Sequence, residues 1–177
     1  ISAASSDGSL GVWNLREATL QHIKISPTPV LAAAISPDGN IAAYSSTTGD
    51  IFIWDTEGDK LLWTLSKHTK RVNGLSISPD GKKLLSGASD GTIGYWDLEK
   101  GRLIKMFIGP IGEIKDVQFG PRGNTGIAGD VHNEIFIINI KKLLLSSPLY
   151  IHNYGVSSVS FSPDGQMFVS TAIDQLD

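Results

Sequence analysis

Residues His68 to Phe107 read HTKRVNGLSISPDGKKLLSGASDGTIGYWDLEKGRLIKMF, four short β-prone runs separated by turn signals. Val72, Leu75 and Ile77 precede Ser78-Pro79-Asp80-Gly81. Leu75 and Ile77 are two apart, so they share one face of a strand. In the four residues that follow, Pro presets φ, Asp caps locally and Gly accepts φ > 0, which makes a hairpin connection. A small-residue run, Leu84–Ala88, leads to a turn at Asp90-Gly91 and then to a β-rich run, Thr92–Asp97. A turn at Glu99–Gly101 opens a fourth run, Arg102–Ile108. The pattern predicts four antiparallel strands joined by short turns.

The unit repeats along the chain. Ser-Pro-Asp-Gly recurs at 36–39 and 162–165, and a degenerate Gly-Pro-Arg-Gly stands at 120–123, so the four starts are 42 residues apart. A second marker, Trp followed by Asp or Asn, falls at Trp13, Trp54 and Trp96, and Ile138 occupies the next expected position. The strand before each turn marker repeats as Val30/Ala33/Ile35, Val72/Leu75/Ile77, Ile114/Val117/Phe119 and Val156/Val159/Phe161. Two independent markers sharing one period identify a repeat architecture, and four short strands per 42 residues match a propeller blade.

These motifs resemble the WD-repeat family across essentially the whole chain, with the unit His68 to Phe107 nearest to the family pattern. The resemblance implies an all-β fold: a β-propeller of four-stranded antiparallel blades. By this register, blades 26–67, 68–109 and 110–151 are complete, and segments 1–25 and 152–177 supply partial blades. Seven- or eight-bladed rings are the family norm, so the chain is expected to be a fragment of a larger propeller within one longer protein. Self-association that completes a ring is an alternative. The family also implies a hydrogen-bonded network of His68, Ser86, Asp90 and Trp96, echoed 84 residues on by His152, Ser170 and Asp174. Such a network gives each buried polar group a partner and avoids a penalty of about 1–3 kcal/mol per group. In the second unit the matching residues are Ser26, Tyr44, Thr48 and Trp54, so Trp alone survives. In the fourth they are Pro110, Ala128, His132 and Ile138, and none does. The first has Ala3, Asp7 and Trp13.

A Ser, a His and an Asp within one unit also invite a hydrolase triad. The recurrence of the set two periods later argues for structure, since a catalytic nucleophile has no reason to be copied into separate blades. Gly87-Ala88-Ser89-Asp90-Gly91 fits the G-x-S-x-G string. A nucleophile elbow needs a helix after the turn, and here the β-rich TIGYW follows. His22, His68, His132 and His152 lack metal-ligand spacing, and no phosphate-binding glycine loop is present. No catalytic, cofactor or metal site is therefore expected. The net charge of −3 supplies no basic field for nucleic acid, and no apolar run is long enough to span a bilayer as a helix. The chain has no cysteine, hence no disulfide and no thiolate metal site. Composition does not fix a compartment; a cytoplasmic one is the working expectation.

What remains is a surface. Lys67, Lys70 and Arg71 fall in the loop that leads into the unit at 68, and Tyr154 follows His152 as Lys70 follows His68. Tyr and Arg are favoured interface anchors. This loop face is the expected partner-binding site, and the expected function is a non-catalytic scaffold for proteins or peptides. The alternative is a regulatory or sensing propeller appended to an enzyme whose catalytic domain lies elsewhere. Leu143-Leu144-Leu145 and Pro148 are expected in an outermost strand, where a missing N–H costs little.

Overall fold

In the computed structural model of the chain, residues 2–4, 9–14, 18–24, 29–109 and 112–172 are described. Their secondary structure is strand and turn throughout, in successive antiparallel sheets. Strands β1 (Ser2–Ala4), β2 (Ser9–Asn14) and β3 (Thr19–Lys24) form the first. The second comprises β4 (Val30–Ile35), β5 (Ile41–Ser46), β6 (Asp50–Asp55) and β7 (Lys60–Ser66). The third comprises β8 (Val72–Ile77), β9 (Lys83–Ala88), β10 (Thr92–Asp97) and β11 (Arg102–Ile108). In the fourth, β12 (Ile114–Phe119), β13 (Thr125–Asp130) and β14 (Glu134–Asn139) are followed by β15 (Leu144–Leu145) and β16 (Leu149–Tyr150), both paired with β14. β17 (Val156–Phe161) and β18 (Phe168–Ala172) pair in the fifth.

Each sheet meanders in chain order, and its first strand lies beside the first strand of its neighbours: β4 touches β8, β8 touches β12 and β12 touches β17. Apolar side chains fill the space between sheets rather than one central core. Ala43, Ile51 and Ile53 of the second sheet pack with Val72, Leu84 and Trp96 of the third. Leu85, Ile93 and Phe107 of the third meet Val117, Ala128 and Ile138 of the fourth. This is the propeller arrangement: each sheet is a blade, and the third has both faces covered by its neighbours.

The V-x-x-Φ-x-Φ pattern departs from the two-residue period of a strand, and the register explains it. The inner strand slips just after Val30, Val72, Ile114 and Val156 in turn. A bulge adds one residue there, which turns side chains three apart onto the same face. The Ser-Pro-Asp-Gly turns are also built alike. The Ser78 hydroxyl donates to Asp80 Oδ1 (2.5 Å), the Gly81 amide to the Ser78 carbonyl (2.9 Å) and the Lys83 amide to Ser78 Oγ (2.9 Å). Gly81 has φ +72, a conformation that favours glycine.

The outer strand of the fourth blade is split into β15 and β16 around 146–148. Leu143, at φ +52 in the turn, and Leu145 pack against the core between the third and fourth blades, whereas Leu144 is exposed.

Candidate functional site

In the third blade, β9 carries Ser86, β10 carries Trp96, the turn between them carries Asp90, and the loop before β8 carries His68. These residues meet beneath one end of the blade. The Trp96 indole N–H donates to Ser86 Oγ (2.8 Å), and Ser86 Oγ lies 2.7 Å from His68 Nε2. On the other ring edge, His68 Nδ1 lies 2.9 Å from Thr92 Oγ1, whose hydroxyl donates to Asp90 Oδ1 at 2.6 Å. With the Thr92 proton given to Asp90, Thr92 accepts from His68 Nδ1–H, and Nε2 is left to accept from Ser86. Every donor then has an acceptor with the imidazole neutral. Burial pushes the His68 pKa below its ordinary value, and the Asp90 charge opposes this without reversing it. The 3.5 Å approach of Nδ1 to Asp90 Oδ2 is accordingly no ion pair. Burial pushes the Asp90 carboxyl up, but hydrogen bonds from Thr92 and the Thr69 amide outweigh it and hold the carboxyl below its ordinary value.

Two further residues complete the site, Thr92 in the relay and Gly94 beside it. Thr92 stands between His68 and Asp90 and reads in sequence merely as a β-former. Gly94 lies opposite Ser86, and a side chain there would enter the space of the Ser86 hydroxyl and the Trp96 indole. A signal for Gly94 exists: glycine precedes tryptophan by two at Gly11–Trp13 and Gly94–Trp96, but not at Phe52–Trp54.

The other blades fill the same space differently. In the second, Tyr44 and Phe52 replace Ser86 and Gly94 and stack with ring centroids 5.1 Å apart. Trp54 Nε1 is consequently buried with no hydrogen-bond partner. In the fourth, the fully buried Asp130 accepts from the amides of His132 (2.8 Å) and Glu134 (3.0 Å) through Oδ1, while its Oδ2 has no partner. In the fifth, His152 Nε2 lies 2.7 Å from Ser170 Oγ. Asp174, Asp7, Ser26 and Pro110 lie outside the described residues. His22 lies in β3 and His132 in the turn between β13 and β14.

The Ser86–His68 contact has the spacing of a nucleophile and its base, but Ser86 is fully buried and its oxygen also accepts from Trp96. A substrate has no path to it. Ser89 sits in a turn between two strands, not before a helix, and its Oγ accepts from Arg71 Nε (3.1 Å) and Asn73 Nδ2 (3.0 Å). Among the described residues no group of three or more His, Cys, Asp or Glu is placed to hold a metal, and no helix is long and apolar enough to cross a membrane.

On the loop end above the relay, Lys67 and Lys70 are exposed and make no ion pair with a described residue, and Tyr154 is also exposed. Arg71 is different: its guanidinium pairs with Glu113 of the next blade at 2.8 Å. Burial pushes the Glu113 carboxyl up, but Lys115 and Arg71 outweigh it and pull the pKa down to about 2. Arg71 thus ties blades together and offers the surface only part of its side chain.

Blade geometry, turn chemistry and relay converge with an independent comparison. The WD domain, G-beta repeat family matches residues 18–55, 59–97 and 143–176, more than half of the chain. The chain belongs to the WD-repeat family. A search of curated proteins found no match. The WD matches pass over 98–142, where Ala128 and Ile138 stand in place of the Ser and Trp of the third blade. That stretch still folds as a blade, because the buried apolar positions of β12, β13 and β14 are kept. WD repeats generally serve protein–protein interaction, and the exposed loop end suits that role.

Proposed function

We propose that this chain is a non-catalytic scaffold that binds protein or peptide partners through the loop end carrying Lys67, Lys70, Tyr154 and the exposed part of Arg71. One contrast carries the reading. The residues with catalytic chemistry are sealed and mutually satisfied, while the loop residues above them are exposed, and two of their cations are unpaired. Rigid strands hold these loops in place, so a partner meets a preorganised surface and less ordering entropy is lost on binding. The WD-repeat family's general role supports the same reading.

The test is quantitative affinity capture with the full chain, comparing the parent with Lys67→Glu/Lys70→Glu and with Tyr154→Ala. Partners recovered by the parent should be lost or weakened about tenfold or more in at least one variant, with circular dichroism and melting unchanged. Partners recovered equally by all three proteins would show that this end is not the binding face. A fluorophosphonate probe should leave Ser86 and Ser89 unlabelled; labelling of either would count against a non-catalytic role.

A further inference from the structure

At the end of the blades opposite Lys67 and Tyr154, the β8–β9 turn of the third blade and the β12–β13 turn of the fourth flank a groove of about 390 Å³. Its size is near the lower end of ligand pockets and suits one or two side chains rather than a cofactor. Pro79 and Pro121 line it with Phe119, and Tyr95 meets the Phe119 ring edge-on at 6.3 Å. Tyr95 is only 7% exposed, yet its hydroxyl makes no hydrogen bond with a described residue. Burial, aided by Asp80 and Asp97, raises the Tyr95 pKa, so this hydroxyl stays protonated, and it is not sealed from solvent but stands as a donor at the groove. Its counterparts in the neighbouring blades are Ile53 and Ile137, so the feature belongs to this blade pair.

The rim supplies a charge. In the other three turns the Arg122 position is Asp38, Asp80 or Asp164, and each carboxylate is spent on a serine hydroxyl and a backbone amide of its own turn. Arg122 has no such task; it is exposed and forms neither an ion pair nor a hydrogen bond with a described residue. Lys83, also at the groove, lies 3.3 Å from Asp97 Oδ2 and is already matched. One cation without an ion pair, one hydroxyl donor and apolar walls therefore converge on the groove, which Asp80 also lines.

We propose that this groove binds an extended peptide segment in which an apolar side chain lies beside a carboxylate. The apolar side chain enters between Pro79, Pro121 and Phe119, the carboxylate meets Arg122, and a backbone carbonyl oxygen accepts from Tyr95, where Asp80 and Asp97 disfavour a second anion. Arg suits such a carboxylate because its planar donors can engage both oxygens. The groove is separate from the loop face described above and does not depend on it.

A phage library of random heptapeptides, panned on the full chain, tests this directly. Enriched peptides should carry an apolar residue next to Asp or Glu. In fluorescence polarisation, Arg122→Asp should weaken them about tenfold or more and Tyr95→Phe about three- to tenfold, with melting unchanged. Arg122 is exposed, so its variant keeps the test valid even where Tyr95→Phe shifts stability. Lys67→Glu/Lys70→Glu should leave these affinities unchanged, which separates failure here from failure of the opposite face. No enrichment above background, or enriched peptides indifferent to both Arg122→Asp and Tyr95→Phe, would overturn the assignment.

Discussion

Two tryptophans at the same position of neighbouring blades differ in what meets the indole N–H. Trp96 donates to Ser86, whereas the half-buried Trp54 has its N–H buried and unpaired because Tyr44 replaces the serine. Replacing each by Phe therefore gives unequal results. Trp96→Phe strands part of the Ser86–His68 relay and should cost about 1–3 kcal/mol. Trp54→Phe removes an unsatisfied donor, which offsets the lost apolar contact, and should change stability by less than about 1 kcal/mol. Urea unfolding of the two variants compares them; an equal loss would mean that the Ser86 hydrogen bond contributes nothing. His68 gives a pH signature. Its folded pKa lies below the ordinary 6.5, so the unfolded chain takes up the proton first as pH falls. The stability contributed by neutral His68 is present above about pH 6.5 and is lost as pH drops toward the folded pKa. His68→Asn should flatten that part of the stability-versus-pH curve below about pH 6.5. At this scale His68, Ser86 and Trp96 were legible because their spacing repeats. Thr92 was not, since nothing in sequence separates a relay threonine from a strand threonine.

Inner strands are joined by side chains that reach the next blade's backbone about one period on. Ser76 Oγ accepts from the Phe119 amide at 2.9 Å, and Asp116 Oδ2 accepts from the Val159 amide at 3.0 Å. Gly74 permits the closest approach: a Cβ there would stand 2.8 Å from Val117 N and 2.9 Å from Asp116 Cα. Backbone on both sides cannot give way, so Gly74→Ala should destabilise by about 1–3 kcal/mol. Hydrogen exchange should report the loss first in β8 and β12; a variant as stable as the parent would contradict the packing described. Strand positions in the third blade were legible almost to the residue, because Gly and Asp mark each turn. The split of the fourth blade's outer strand was not. Consecutive leucines carry no period, and Leu143 takes a left-handed turn conformation that sequence did not signal.

Across the whole molecule, each blade is stabilised chiefly by its neighbours, as in other repeat proteins. Val169 of β18 is 65% exposed, whereas Ile127, Leu85 and Ala43, its counterparts one, two and three periods back, have no exposed surface. Val169 thus presents an apolar side chain to solvent at a position that the preceding blades bury. Isolated chains should pair through it: light-scattering mass should rise between about 1 and about 100 µM, and Val169→Glu should suppress the rise. A constant monomer mass would refute that pairing. The all-β blade architecture was readable from the 42-residue period together with the strand-like runs and turn markers inside it, because such patterning reports what must be buried. The groove at Tyr95 and Arg122 was not readable, since it arises from two turns that are distant in sequence and adjacent in space. The meander places alternate turns at opposite ends of each blade, and a six-residue strand such as β9 rises about 20 Å between them. Ligands held at the two ends would not collide, so each should bind with an affinity unchanged by the other. A single chain engaging both would act as a bivalent bridge, holding one ligand at a high effective concentration near the other without any coupling through the fold.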